Sequence, residues 1–264
     1  MKIKDKVVVV TGAASGIGKA LAARFAREGA RGVVCADINE TDAKAVAAGV
    51  GGMGMRCDVG QEDDINALVV ATLERYGAVD IFCSNAGIIG RHGLEASLKE
   101  WRRTMDVNFM AHVLAARAVV PMMLKQGGGY IVATASAAGL LMQVDSATYT
   151  VSKHAVVAFA EWLSVNYAER GIKVSCLCPQ GVRTPMLLGP SGNRKSFLSE
   201  GSVSAEDVAA KVMEAIEAEK FLVLPHPEVA EYERRKTTDR DRWLGGMRRL
   251  RAAILADPKL RDDG

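Results

Sequence analysis

The chain has 264 residues, of which 49% are hydrophobic and 25% charged, the balance of a soluble globular protein with material for a sizeable core. Its net charge of +3 comes from interleaved bases and acids, so it offers no uniform basic face, and neither nucleic acid nor a membrane is expected as a partner. The apolar run at residues 7–10 is too short to span a bilayer and has no signal-cleavage pattern, which makes the cytoplasm the expected location.

In chain order, short apolar runs at 6–11, 32–37, 54–59, 79–84, 130–135, 173–178 and 221–225 predict strands. Segments of helical period at 17–28, 41–49, 61–76, 97–125, 147–169 and 204–219 separate them. This alternation is the βαβ signature, so the expected fold class is α/β, a doubly wound sheet of seven mostly parallel strands with helices on both faces. Residues 1–225 are expected to form one domain. Beyond them, Trp243, Met247, Leu250 and Ile254 fall at helical spacing, predicting an amphipathic C-terminal extension (226–264) that docks on the body or on a partner subunit. Cys35, Cys57, Cys83, Cys176 and Cys178 lie in or at the ends of strand-like runs and are expected as buried thiols, with no metal site. The connection at 186–203 is long, polar and glycine-bearing, and predicts a mobile lid.

The first strand runs into "TGAASGIG", residues 11–18, and then into a helix. Gly12 permits a tight turn, Gly16 lets the backbone approach a pyrophosphate, and Gly18 lets the helix pack closely, so the helix N-terminus faces the anion. Asp37 ends the second strand, 19 residues after Gly18, where an acid can accept from a ribose 2′-hydroxyl and repel a 2′-phosphate. The expected cofactor is therefore NAD. Ser15 in the glycine loop and Ile38 after the acid carry no positive charge that would favour a 2′-phosphate, and Arg31 precedes the strand.

Taken together, TGxxxGxG at 11–18, Asn-Ala-Gly at 85–87, Asn108 in "VNF", Ser136 in "TASAAG" and Tyr149 with Lys153 as YxxxK resemble the short-chain dehydrogenase/reductases, in the family's order and with Ser136 preceding Tyr149 by 13 residues. The resemblance spans residues 5 to about 225 and implies a single-domain Rossmann fold with a nicotinamide cofactor. It implies Asn108, Ser136, Tyr149 and Lys153 as catalytic residues. Around the cofactor it implies Gly12, Ser15, Gly16, Ile17, Gly18, Asp37 and Ile38, then Asp58 and Val59 on the adenine side. Asn85, Ala86 and Gly87 would form the turn beneath it, and Pro179, Val182 and Thr184 would meet the nicotinamide carboxamide. One motif departs from the family: Gln180 stands in "CPQGVRTPM" where a glycine follows the proline.

Residues i and i+4 share a helix face, so Lys153 is expected to act on the Tyr149 phenol. Bringing a phenol from about 10 to about 7 needs roughly 4 kcal/mol of phenolate stabilisation, at 1.36 kcal/mol per unit. Tyr149 would then be the general acid/base for an alcohol–ketone pair, and Ser136 a donor to the substrate oxygen. The resemblance adds that Lys153 holds the nicotinamide ribose and that Asn108 positions a water linking Lys153 to solvent. Ile88, Ile89, Ala138, Leu140, Leu141, Met142, Gln180, Met186, Leu187 and Leu188 are expected around the substrate, with His92 nearby. This mostly apolar set favours an aliphatic, alicyclic or steroid-like secondary alcohol. A homotetramer or homodimer is the oligomer that the family implies. A serine hydrolase lacks its GxSxG elbow and a motif-borne histidine; the remaining alternative is an NAD-binding sensor or scaffold without turnover.

Overall fold

Four successive valines open β1 (Val7–Thr11), and all five of its residues are buried, which requires a strand covered on both faces. The computed structural model describes residues 1–90, 93–189, 191–194 and 196–257; the expectation for His92 lies outside them. β1 is joined by β2 (Gly32–Asp37), β3 (Met53–Arg56), β4 (Ile81–Ser84), β5 (Gly129–Thr134), β6 (Ile172–Leu177) and β7 (Leu222–Val223) in one sheet of order 3-2-1-4-5-6-7, every pair parallel. The order reverses between β1 and β4, so a crevice opens at their carboxyl ends, where open α/β sheets bind ligands. This is the expected doubly wound fold.

Strand alternation sends side chains to two cores. Val9, Phe82, Ile131 and Val174 pack with α3 (Glu62–Tyr76), α5 (Ala111–Lys125) and α7 (Ala147–Tyr167). Val8, Val10, Ile81 and Val132 pack with α1 (Gly16–Arg27), α2 (Glu40–Gly49) and α9 (Ala205–Ala218) on the other side. The Ser204–Asp207 capping box fixes the start of α9. All five cysteines are free and buried, and burial pushes the Cys57 thiol up to about 12.

Several boundaries differ from expectation. β3 ends at Arg56; the Cys57 N–H still donates to the Asp37 carbonyl at 2.8 Å, but the Asp58 N–H turns to the Asp64 carboxylate at 2.8 Å. The helix expected at 97–125 is α4 (Leu98–Met105), a π-helical turn (Asp106–Met110) and α5 in unbroken succession. By length and composition Leu98–Lys125 is able to cross a membrane, yet here Val119 and Met123 are wholly buried in the core. Two short helices, α6 (Ala137–Leu140) and α8 (Pro185–Leu188), were too brief to carry a period. The extension folds into α10 (Glu228–Thr238) and α11 (Arg240–Ala256). Of its four apolar markers Ile254 is buried, Trp243 and Met247 are half-buried, and Leu250 is exposed.

Candidate active site

A cavity of about 360 Å³ occupies the crevice, within the usual size for a small-molecule site. At its phosphate end the backbone makes the walls. Gly12 adopts φ +67°, and a Cβ there would lie 2.8 Å from the Ala86 Cα. Gly18 does not simply ease the helix onto the sheet: a Cβ would sit 2.0 Å from the Gly12 carbonyl oxygen, so the loop folds over its own helix. The Thr11 hydroxyl accepts from the Asn85 and Ala86 N–H groups (2.9 and 3.2 Å), and the Asn85 amide donates back to the Thr11 carbonyl at 3.0 Å. The Asn-Ala-Gly turn is thereby latched to the end of β1.

Farther along, the Asp37 carboxylate accepts one N–H from Ala14 and one from Asn39, each at 3.0 Å, which aims it beside the glycine loop. Ile38 is exposed at the cavity edge. Arg31 points away and donates to the Tyr76 carbonyl. Asp58 and Val59 line the same end, and Asp58 accepts from the Gly60 N–H at 3.1 Å. Sequence reasoning missed Arg103, whose guanidinium lies 3.3 Å from both Asp58 oxygens and reaches the cavity from α4. The Ser97–Glu100 capping box, legible in the sequence, fixes that helix and was the available signal.

At the other end, side chains on β5, α6 and α7 converge. Ser136 is the N-cap of α6, accepting from the Ala138 N–H at 3.1 Å and donating to the Pro179 carbonyl at 3.4 Å. Tyr149 lies in the first turn of α7, whose N-cap Ser146 accepts from the Tyr149 N–H. Lys153, one turn on, donates to the Thr134 carbonyl at 2.9 Å with its ammonium 5.7 Å from the Tyr149 ring centre. Burial pushes the phenol above its usual 10, opposed by a hydrogen bond from Ser136. Desolvation outweighs that hydrogen bond in the protein alone. Burial also lowers the Lys153 ammonium to about 8, opposed by the nearby Cys176 and Cys178 thiols.

Asn108 sits in the π-helical turn, a feature common at functional sites. Its amide oxygen accepts from the Ile88 N–H (2.8 Å), and its two N–H groups go to the Ile88 carbonyl (2.9 Å) and the Ser152 hydroxyl (3.1 Å). Both amide N–H groups are engaged, and the side chain clamps the Ile88 backbone at the cavity floor. Gly87 lies directly above, its would-be Cβ 3.4 Å from the Asn108 oxygen and 3.5 Å from the Lys153 ammonium.

Val182, Thr184 and Pro179 line the cavity, as do Ile88, Ile89, Gln180, Met186 and Leu187. Ala138, Leu140, Leu141, Met142 and Leu188 do not: Ala138 and Leu140 are buried, because α6 turns that segment inward after Ser136. Gln143, in the loop entering α7, lines the wall in their place. Within the connection expected as a lid, Ser196 and Leu198 face the cavity, and Val203 pairs with Val182. Gln180 donates its backbone N–H to His226 Nδ1 at 3.1 Å. These contacts join residues far apart in the chain, and no local pattern announces them.

The residues that a nicotinamide dinucleotide requires are compatible with this crevice: a backbone cradle that a Cβ would fill, an acid at the end of β2, and an apolar far end. Comparison with known proteins agrees. Residues 6–191 match the family model described as short chain dehydrogenase. The chain is 40% identical over 230 residues to 1-deoxy-11-beta-hydroxypentalenate dehydrogenase of Streptomyces exfoliatus, covering 84% of this chain and 83% of that protein. It is 36% identical over 213 residues to 3beta-hydroxysteroid dehydrogenase of Mediterraneibacter gnavus, covering 78% and 76% respectively. A crystal structure of a short-chain dehydrogenase/reductase from Burkholderia phymatum in complex with NAD superposes with a TM-score of 0.83 at 31% identity, covering 91% of this chain and 96% of that one. The chain belongs to the short-chain dehydrogenase/reductase family.

Proposed function

We propose that the protein is an NAD-dependent oxidoreductase that interconverts a secondary alcohol and its ketone on a largely apolar, alicyclic or steroid-like substrate. The observation that carries this reading is the meeting of Ser136, Tyr149 and Lys153 at one end of a single cavity whose other end holds the glycine loop and Asp37. A passive sensor has no use for a half-buried phenol beside a buried ammonium. The names of the relatives, a hydroxypentalenate and a hydroxysteroid dehydrogenase, support the substrate class.

In the oxidising direction a nicotinamide held in this crevice would supply the hydride acceptor, and the protein's own residues handle the proton. Tyr149 accepts it from the alcohol oxygen as general base. Ser136 donates a hydrogen bond to the same oxygen, which steadies the charge that grows there. Lys153 stabilises the phenolate by its positive charge, a demand increased by the burial that raises the Tyr149 pKa. Its remaining donors are placed for a ribose hydroxyl. Asn108 keeps the Ile88 backbone, and with it the cavity floor, in place. Asp37 would accept from an adenosine 2′-hydroxyl, and Arg103, paired with Asp58, would be a poor partner for a 2′-phosphate.

Residues 226–264 are proposed as an appendage to a catalytic domain of residues 1–225, and the assembly as a homodimer or homotetramer in the cytoplasm. Exposed Val151, Trp162 and Val165 on α7 support a contact between copies, and five reduced buried thiols suit a reducing compartment. NAD reduction measured against a panel of alicyclic and steroid secondary alcohols tests the reading: turnover with at least one is expected, while NAD binding without turnover on any would favour the sensor.

A further inference from the structure

Lys236 belongs to α10, beyond the stretch that the family model matches, and yet it is buried. Its ammonium donates to the Leu140 carbonyl, to the Leu141 carbonyl at 3.0 Å and to His154 Nε2 at 3.2 Å, while the Trp243 ring of α11 covers it at 5.3 Å. An ammonium has three N–H groups, and here each meets an uncharged acceptor. Among the described residues it has no ion pair, and a buried cation of that kind persists only where its donors are satisfied in this way.

The acceptors have telling positions. Leu140 ends α6 and Leu141 caps it, and the residue that opens this one-turn helix is Ser136. His154 directly follows Lys153 on α7, one turn and a residue after Tyr149. A single side chain from the C-terminal extension therefore ties the turn carrying the hydroxyl to the helix carrying the phenol and the ammonium. Lys236 also occupies the last carbonyls of α6, where a cation is favoured.

We propose that Lys236 is a positioning residue: its three hydrogen bonds hold the Ser136 turn against the Tyr149–Lys153 helix and so set how the substrate oxygen meets both hydroxyl groups. It touches neither substrate nor cofactor. The proposal rests on the reading of Ser136 and Tyr149 given above, and it assigns the extension a part in substrate binding.

The clamp has a pH limit. His154 Nδ1–H donates to the Thr150 carbonyl at 2.9 Å, which leaves Nε2 as a lone-pair acceptor for Lys236. Protonation of that ring removes the acceptor and sets two cations together. Burial holds the His154 pKa below its ordinary 6.5; the Thr150 carbonyl on α7 opposes this, and the facing Lys236 of α10 and Arg240 of α11 reinforce it. Glu233, on the same helix as Lys236, is the acid whose charge acts on that ammonium. Because the fold favours the neutral ring, the clamp is intact above 6.5 and is lost as pH falls through the depressed value.

The test compares full-length wild type with K236M, which keeps the apolar stem, and H154Q, which keeps a neutral acceptor that does not titrate. Expected for K236M are faster amide exchange in 139–146, a KM for the alcohol raised about tenfold or more, within the roughly 10²-fold that a misplacement near 1 Å can cost, and an unchanged NAD affinity. Expected for H154Q is near-normal activity at neutral pH with exchange in 139–146 that no longer accelerates on acidification. Wild-type exchange and KM in K236M would overturn the proposal, as would an acid response in H154Q equal to that of wild type. Should the wild type oxidise no alcohol, the functional reading fails, while the exchange measurements still judge the clamp.

Discussion

The two ends of the cavity are built in different ways. At the phosphate end the walls are main chain: Gly12 and Gly18 leave no room for a side chain, and Thr11 fastens the Asn85–Gly87 turn by hydrogen bonds of 2.9 and 3.2 Å. At the catalytic end the walls are side chains whose charge and proton state depend on how deeply neighbouring elements bury them, as the opposite shifts of Tyr149 and Lys153 show. The first end is a shape and the second a set of pKa values. Substitution at the first should act through fit and stability, and at the second through chemistry with the fold intact.

The sharpest separation is expected from Tyr149→Phe. The ring stays and the proton carrier goes, so turnover should fall by about 10²- to 10⁴-fold, the usual worth of general acid–base catalysis, with NAD affinity and thermal midpoint close to wild type. Retained turnover would break the assignment of the catalytic end. Asp37→Ala probes charge at the other end. Two unit charges about 4 Å apart repel by roughly 4 kcal/mol at an effective dielectric of 20, less after screening; the ratio of kcat/KM for NAD over NADP should therefore drop by about 10- to 100-fold. Equal use of NADP by the unmodified protein would refute the cofactor assignment.

Gly18→Ala tests whether the phosphate end is a matter of fit. The new Cβ meets the Gly12 carbonyl oxygen at 2.0 Å, so overpacking should cost about 1–3 kcal/mol, lowering the melting midpoint along with NAD affinity. A variant as stable as wild type and binding NAD normally would show the loop to be pliable. The smallest effect is a pH limb. Ketone reduction needs the proton on both Tyr149 and Lys153, and burial lowers Lys153 to about 8 while raising Tyr149. In that direction kcat/KM should decline as pH rises through about 8, with the Lys153 titration setting the midpoint. Lys153→Arg, which stays charged, should push the decline upward if the protein folds around it.

What could be read from the sequence follows the same division. The glycine loop, Asp37 and the Tyr149–Lys153 pair are local: each lies within one strand–turn–helix or one helical turn, so spacing alone exposes it. The succession of strands and helices along the chain followed from alternating periods, since a buried parallel strand and an amphipathic helix leave different signatures. The short α6 defeated that approach. Four residues hold no full period, and the inward turn after Ser136 removed Ala138 and Leu140 from the wall, where Gln143 stands instead.

By itself, then, the sequence determined the sheet, the tight glycine loop and the candidates for proton transfer, because those depend on residues close in the chain and on backbone freedoms that side-chain type dictates. Tertiary structure decided the rest. The saturation of the Asn108 amide by Ile88 and Ser152, the Arg103–Asp58 pair and the Lys236 clamp all join residues 20 to 96 positions apart. The pKa directions of Tyr149 and Lys153 likewise arise from burial, a property of the packed molecule: a charge finds its energy in the solvent it loses, and no spacing along the chain records how much water the fold removes.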